Sequence, residues 1–183
     1  MANICVFCSS SSEIEKKYLD AAEELGKLIG KGGHTLIYGG SDLGTMGILA
    51  KSVQANGGKV IGIIPEHLQT LAKGEDELVT ARNMYHRKEI MESKADIFIA
   101  LPGGIGTIDE IFDILVGKQL KIHEKPLIII NLDNYYEDLI KQINKINQLG
   151  FVSLKFDIKE VGKIFYVVNT PKEAMDYIDN ILS

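Results

Sequence analysis

Cysteine is scarce in this 183-residue sequence, with only Cys5 and Cys8 present. Two are too few for a disulfide scaffold. Their spacing is Cys-x-x-Cys, but no second pair exists to complete a zinc site. Cys5 falls inside an apolar run rather than at a helix start, where thiolates are activated, so both are expected to pack as small hydrophobes. Long apolar runs are missing too: none approaches the ~20 residues needed to cross a bilayer, so no membrane partner is expected. Basic charge is not in excess. Against 25 Asp and Glu stand 20 Lys and Arg, a net charge of −5, which disfavours nucleic acid as a partner because that needs a basic face. Met1-Ala2-Asn3 leads straight into an apolar run with no charged n-region or cleavage site, which sets the expectation of a cytoplasmic protein. His34, His67, His86 and His123 show no ligand-like spacing, so no metal is expected.

Glycine is abundant at 18 residues, in a chain that is 45% hydrophobic and 25% charged. That composition is ordinary for a globular domain, and the length predicts one domain over residues 1–183. Short apolar runs alternate with helical periodicity. Ile4-Cys5-Val6-Phe7 reads as a strand, followed by Cys8-Ser9-Ser10-Ser11-Ser12 and a helix over 13–30, with Ser12 and Glu15 at capping-box spacing. Strands are predicted over 34–38, 59–64, 97–101, 126–131 and 163–168. Helices are predicted after Gly44-Thr45-Met46-Gly47 and over 84–95, 105–121 and 134–149, with Asn134 and Glu137 boxing the start of the last. Pro65 to Thr80 is polar and mixed, and reads as a mobile loop over the site. Thr170-Pro171-Lys172-Glu173 opens a closing helix with an N-cap, a proline at the first helical position and the capping-box acid. Strands alternating with helices predict a doubly wound, Rossmann-like α/β domain with a mostly parallel sheet.

In such a sheet, ligands bind beyond the carboxyl ends of the strands. Three segments should therefore meet on one rim: Ser9–Ser12, Gly39–Gly47, and the turn of Pro102-Gly103-Gly104-Ile105-Gly106-Thr107-Ile108-Asp109-Glu110. Two glycine-rich helix starts suit a phosphate-bearing ligand, since glycines admit close approach and free helix N–H groups favour anions. The dinucleotide fingerprint is incomplete in both, with Ser41 and Asp109 where it needs glycine, and no kinase-type P-loop occurs. Arg87, in the first turn of its helix and on one face with Met84 and Met91, supplies a cation that can grip a phosphate or carboxylate. An ion pair with Glu89 or Glu92 on a solvated surface is the simpler reading of Lys88.

The Pro102–Glu110 stretch matches Pro-Gly-Gly-x-Gly-Thr-x-x-Glu at every fixed position, and Arg87-Lys88 stands sixteen residues before Gly103. With these paired motifs the chain resembles the LOG family, the cytokinin riboside monophosphate phosphoribohydrolases, along nearly its whole length. The resemblance continues through Gly44-Thr45-Met46-Gly47 and Gln119-Leu120-Lys121-Ile122-His123-Glu124-Lys125-Pro126. It departs at Tyr85, which takes the histidine place of the family's Met-His-x-Arg-Lys while His86 fills the variable position, at Ser41 in a usual triple glycine, and at Lys118 in place of an aromatic residue. The resemblance implies hydrolysis of the N-glycosidic bond of a nucleoside 5′-monophosphate to free base and ribose 5-phosphate, with no cofactor. It implies Arg87 and Glu110 as catalytic residues. Ser9, Gly39, Gly40, Met84, Lys88, Gly103, Gly104, Ile105, Gly106, Thr107 and Asp109 make up the substrate and phosphate site. Asp109 reads equally as a partner of the helix dipole. Relatives have been labelled lysine decarboxylases, but nothing in the chain resembles a pyridoxal phosphate site. A homodimer or higher homo-oligomer is implied as well, and the mostly apolar helix over 105–121 is compatible with burial between subunits. The alternative from another class is a nucleotide-binding sensor or carrier without catalysis.

Overall fold

The computed structural model of the chain describes residues 1–151 and 164–183. Seven parallel strands form one sheet: β1 (Asn3–Phe7), β2 (Thr35–Tyr38), β3 (Lys59–Pro65), β4 (Glu77–Ala81), β5 (Ile97–Ala100), β6 (Leu127–Ile130) and β7 (Tyr166–Val168). Their order is β4-β3-β2-β1-β5-β6-β7. Ile4 of β1 pairs with Leu36 on one side and Ile97 on the other. The chain builds outward from β1 to β4, returns to lay β5 against β1, and continues to β7. The direction thus reverses between β1 and β5, and the crevice at their carboxyl ends is where a doubly wound sheet offers a binding site.

The strands are near-continuous apolar runs because both faces are covered. Alternate residues go to opposite sides. Ile4, Val6, Leu36, Ile97, Ile99, Ile128 and Ile130 face the layer of α1 (Lys16–Lys31), α2 (Gly44–Ala55) and α6 (Pro171–Leu182). Cys5, Phe7, Ile37, Phe98, Ala100, Leu127 and Ile129 face α3 (Met84–Lys94), α4 (Ile105–Gln119) and the half-buried leucine and isoleucines of α5 (Glu137–Gln148). Both cysteines are buried and free, as small hydrophobes would be. Among the described residues, no helix is long and apolar enough to cross a membrane.

Four expectations need correction. Residues 66–80 are not simply a loop: Glu66–Leu71 is a 3-10 helix and Glu77–Ala81 is the edge strand β4. Only one face of an edge strand need be apolar, and the alternating exposure of Glu77 to Thr80 hides it in a sequence read for buried runs. Helix α1 begins at Lys16, and the Ser12–Glu15 capping box does not form. The serine hydroxyls serve local turns instead, Ser9 Oγ accepting from Ser11 N at 3.0 Å and Ser11 Oγ from Glu13 N at 3.2 Å. Asn134 does not cap α5 either, because its backbone is left-handed at φ 61°. No side chain caps α5; Asn131 holds the loop before it, its Oδ1 accepting from Tyr136 N at 2.7 Å. The cap at Thr170 does form: Thr170 Oγ1 accepts from Glu173 N at 3.2 Å, while the Glu173 carboxylate reaches one residue further back than a capping box requires, accepting from Asn169 N at 2.8 Å. The strand predicted over 163–168 is shorter, and Lys163 lies outside the described residues.

Candidate active site

The loop after β1 is stitched to the starts of two helices. Thr45, in the first turn of α2, accepts from Ser9 N at 2.9 Å and donates to Ser9 O at 2.8 Å. Thr107, in the first turn of α4, donates from Oγ1 to Cys8 O at 3.2 Å. Between these elements lies a cavity of about 430 Å³. Ser9, Gly39, Met84, Arg87, Lys88, Gly104, Ile105, Gly106, Thr107, Asp109 and Glu110 all line it. Gly40 and Gly103, expected in the same site, do not. Gly40 is left-handed, φ 71°, and packs on Ile63 and Ile64. A side chain on Gly103 would collide with Thr107. Both glycines are there for the fold.

Gly104 and Gly106 are different. A Cβ at either would meet no protein atom within 4 Å, and neither has a positive φ. Nothing among the described residues requires them to be glycine, yet both line the cavity. The first backbone bond of α4 runs from Ile108 N to Gly104 O at 3.1 Å, so the N–H groups of Ile105, Gly106 and Thr107 lie ahead of the helical ladder. That is an anion-binding end with its approach kept clear.

Deeper in, Arg87 and Glu110 form a buried pair, Nη1 to Oε1 at 2.9 Å, each residue 8% exposed. Asn83 starts α3 by accepting from His86 N at 2.9 Å, which sets Arg87 in the first turn. Arg87 also donates from Nε to Ile63 O at 3.0 Å, the second anchor of its guanidinium. Gly39 makes room for it: a Cβ there would strike Arg87 Nη2 and lie 2.8 Å from Met46 Sδ. Burial pushes the Glu110 carboxyl above the usual carboxylate range, against the opposing pull of the Arg87 charge. The pair is therefore a desolvated one, whose partners depend on each other.

Around the pair the charges are arranged differently from the surface reading. Lys88 contacts neither Glu89 nor Glu92 in an ion pair; it bridges Asp109 at 2.9 Å and Asp113 at 2.5 Å. Burial disfavours its charge, but the bonds to Asp113 and Asp109 outweigh this and raise its pKa. Asp109 is thus tied to a cation on α3, beyond any partnership with the helix dipole. The Cys8 thiol is pushed up to about 12 by burial. No group of three or more metal-ligating side chains occurs among the described residues.

Much of the lining is apolar. Leu43, Met46, Ile64, Pro65, Leu68 and Leu71 form the apolar side of the cavity. The segment holding Leu68 and Leu71 is fixed by Asp42 N donating to Leu71 O at 2.9 Å and by Tyr38 Oη donating to Glu75 at 2.5 Å. Their position over the rim follows the expectation for the segment after Pro65, but which side chains turn inward was not readable from its mixed composition.

Residues 46–178 match the family described as "Possible lysine decarboxylase". Among curated proteins, a probable cytokinin riboside 5′-monophosphate phosphoribohydrolase of Oryza sativa subsp. japonica is 37% identical over 179 residues, 96% of this chain and 70% of the relative. A cytokinin riboside 5′-monophosphate phosphoribohydrolase of Arabidopsis thaliana is 40% identical over 153 residues, 82% of this chain and 72% of the relative. Among solved structures, the molybdenum cofactor binding protein of Rippkaea orientalis superposes with a TM-score of 0.74 at 22% identity, covering 100% of this chain and 98% of that one. At that identity the likeness is one of fold. Identity at this level over most of both sequences, with the family match, establishes that the chain belongs to the LOG family.

Proposed function

We propose that the chain hydrolyses the N-glycosidic bond of a nucleoside 5′-monophosphate, releasing the base and ribose 5-phosphate. The observation that carries this is the placement of the buried Arg87–Glu110 pair in one cavity with the open helix start at Gly104–Thr107. The names of the phosphoribohydrolase relatives agree with it. A phosphate at the helix start puts the sugar over Glu110 and leaves the base to the apolar side near Met46, Leu68 and Leu71.

Cleavage of that bond builds positive charge on the ribose ring, as in glycoside hydrolysis. Glu110 sits on α4 with its Cα–Cβ bond tilted back toward the helix start. Its carboxylate stabilises the ring charge or holds the ribose hydroxyls and attacking water, and Arg87 fixes its direction. The phosphate takes no part in bond breaking; anchoring it orients the sugar. A decarboxylase reading fits the residues poorly. Pyridoxal phosphate chemistry requires a neutral lysine amine, and two carboxylates hold the cavity's Lys88 as the ammonium. The same reading includes a homo-oligomer, for which the exposed Val116 of α4 and Leu120 just past its end offer an apolar surface.

The test is incubation with a panel of nucleoside monophosphates, scored for free base. Base release from at least one member is expected, and its identity names the substrate. Binding of a nucleotide with no release across the panel would instead support a carrier or sensor.

A further inference from the structure

The loop after β6 carries two tyrosines whose hydroxyls reach the strand and turn before α4. Tyr135 Oη donates to Gly103 O at 2.7 Å, and Tyr136 Oη donates to Leu101 O at 2.7 Å. Neither tyrosine lines the cavity. The loop reaches this position through two successive left-handed residues, Asp133 at φ 50° and Asn134 at φ 61°, residue types that tolerate that conformation best. The rings are locked edge to face, Tyr135 on Tyr136 with centroids 4.9 Å apart and on Tyr18 at 5.6 Å. Tyr136 is buried and its environment is apolar, whereas Tyr135 is 45% exposed. Tyr136 therefore reads as a core residue with a satisfied hydroxyl. Tyr135 has no such need for its bond, since water could serve its hydroxyl.

The peptide bonds of the turn are trans. In a trans peptide the carbonyl and the following N–H point in opposite directions within one plane. A carbonyl of Gly103 held outward by Tyr135 thus turns the N–H of Gly104 inward, toward the cavity that Gly104 lines. With glycine on both sides, this plane is the freest of the turn to rotate.

Resting on the function proposed above, we propose that Tyr135 is a positioning residue for the substrate phosphate: its hydroxyl holds the Gly103–Gly104 peptide so that Gly104 N–H joins the helix-start donors. The base lies at the far side of the cavity and does not depend on this plane.

The test is calorimetric titration of wild-type and Tyr135→Phe protein with ribose 5-phosphate and, separately, with adenine, beside thermal melting of both. The variant keeps the ring and its stacking. Affinity for ribose 5-phosphate is expected to fall by about ten-fold, the effect of one misplaced hydrogen bond, with adenine binding and melting temperature unchanged. Ribose 5-phosphate binding that is equal in the two proteins overturns the role of Tyr135 and leaves the proposed function standing. Equal losses for both ligands, or a lowered melting temperature that accounts for the loss, also overturn it in favour of a structural role. A wild-type protein that does not bind ribose 5-phosphate overturns both proposals together.

Discussion

The two glycine-rich turns look alike in sequence and differ in what surrounds them. After β2, the glycines are occupied by the protein itself: Gly39 faces the Arg87 guanidinium, Gly44 is left-handed against the Ser10–Ser11 backbone, and Gly47 faces the Asp42 carbonyl. After β5, Gly103 is filled by Thr107, but Gly104 and Gly106 have open space where a side chain would be. The first turn is a packing device that seats the Arg87 guanidinium. The second keeps clear the approach to a helix start. The number of glycines in a turn therefore says little about ligands. The empty Cβ positions say more, because the fold offers no other reason for them.

The strongest challenge to this division is at the pair the two turns enclose. Glu110→Gln is expected to lower kcat by about a thousand-fold, the order expected when a charge-stabilising group is lost, while circular dichroism stays native. Near-normal turnover in that variant would remove Glu110 from the chemistry. Gly39→Ala comes next. Its methyl group displaces Arg87 or Met46, so turnover should drop by about a hundred-fold and stability by about 1–3 kcal/mol, read by activity and denaturant titration. An unperturbed Gly39→Ala protein would mean the first turn does not seat the guanidinium.

The second turn should respond in the opposite sense. Gly106 is in the first turn of α4 and its Cβ position is empty, so Gly106→Ala should keep or raise stability, by at most about 1 kcal/mol. Substrate binding should nevertheless weaken. The smallest effect is expected for Asp109→Asn. Asp109 is more than half exposed and shares Lys88 with Asp113, so turnover should change only by about two- to three-fold. A large loss would move Asp109 from neighbour to participant.

Much of this comparison lies beyond the reach of the sequence, for physical reasons. The buried strands were legible because two covered faces leave no polar positions, as in Ile97–Ala100 and Leu127–Ile130. Arg87 was legible as a candidate through its position at a helix start, and Glu110 through the family motif it closes. That they pair with each other, and that Lys88 pairs with Asp109 and Asp113 rather than with Glu89 or Glu92, depends on how α3 and α4 lie across the sheet, and no local pattern encodes it. Edge strand β4 was missed because one exposed face breaks its apolar run. The Ser12 box failed because α1 starts only at Lys16, and the Asn134 cap because that backbone is left-handed, whereas Thr170, followed by a proline that fixes the first helical residue, does cap α6. The hydroxyls of Tyr135 and Tyr136 act across 32 and 35 residues of chain, and their bonds become visible only once β5 and β6 are paired.

The most direct measurement compares kcat/KM for a hydrolysed nucleoside monophosphate with that for its nucleoside, in wild-type and Gly106→Ala protein. If the open turn holds the phosphate, the wild type prefers the monophosphate by at least about a hundred-fold, and the preference collapses in the variant without loss of stability. A preference that survives Gly106→Ala unchanged would contradict the account.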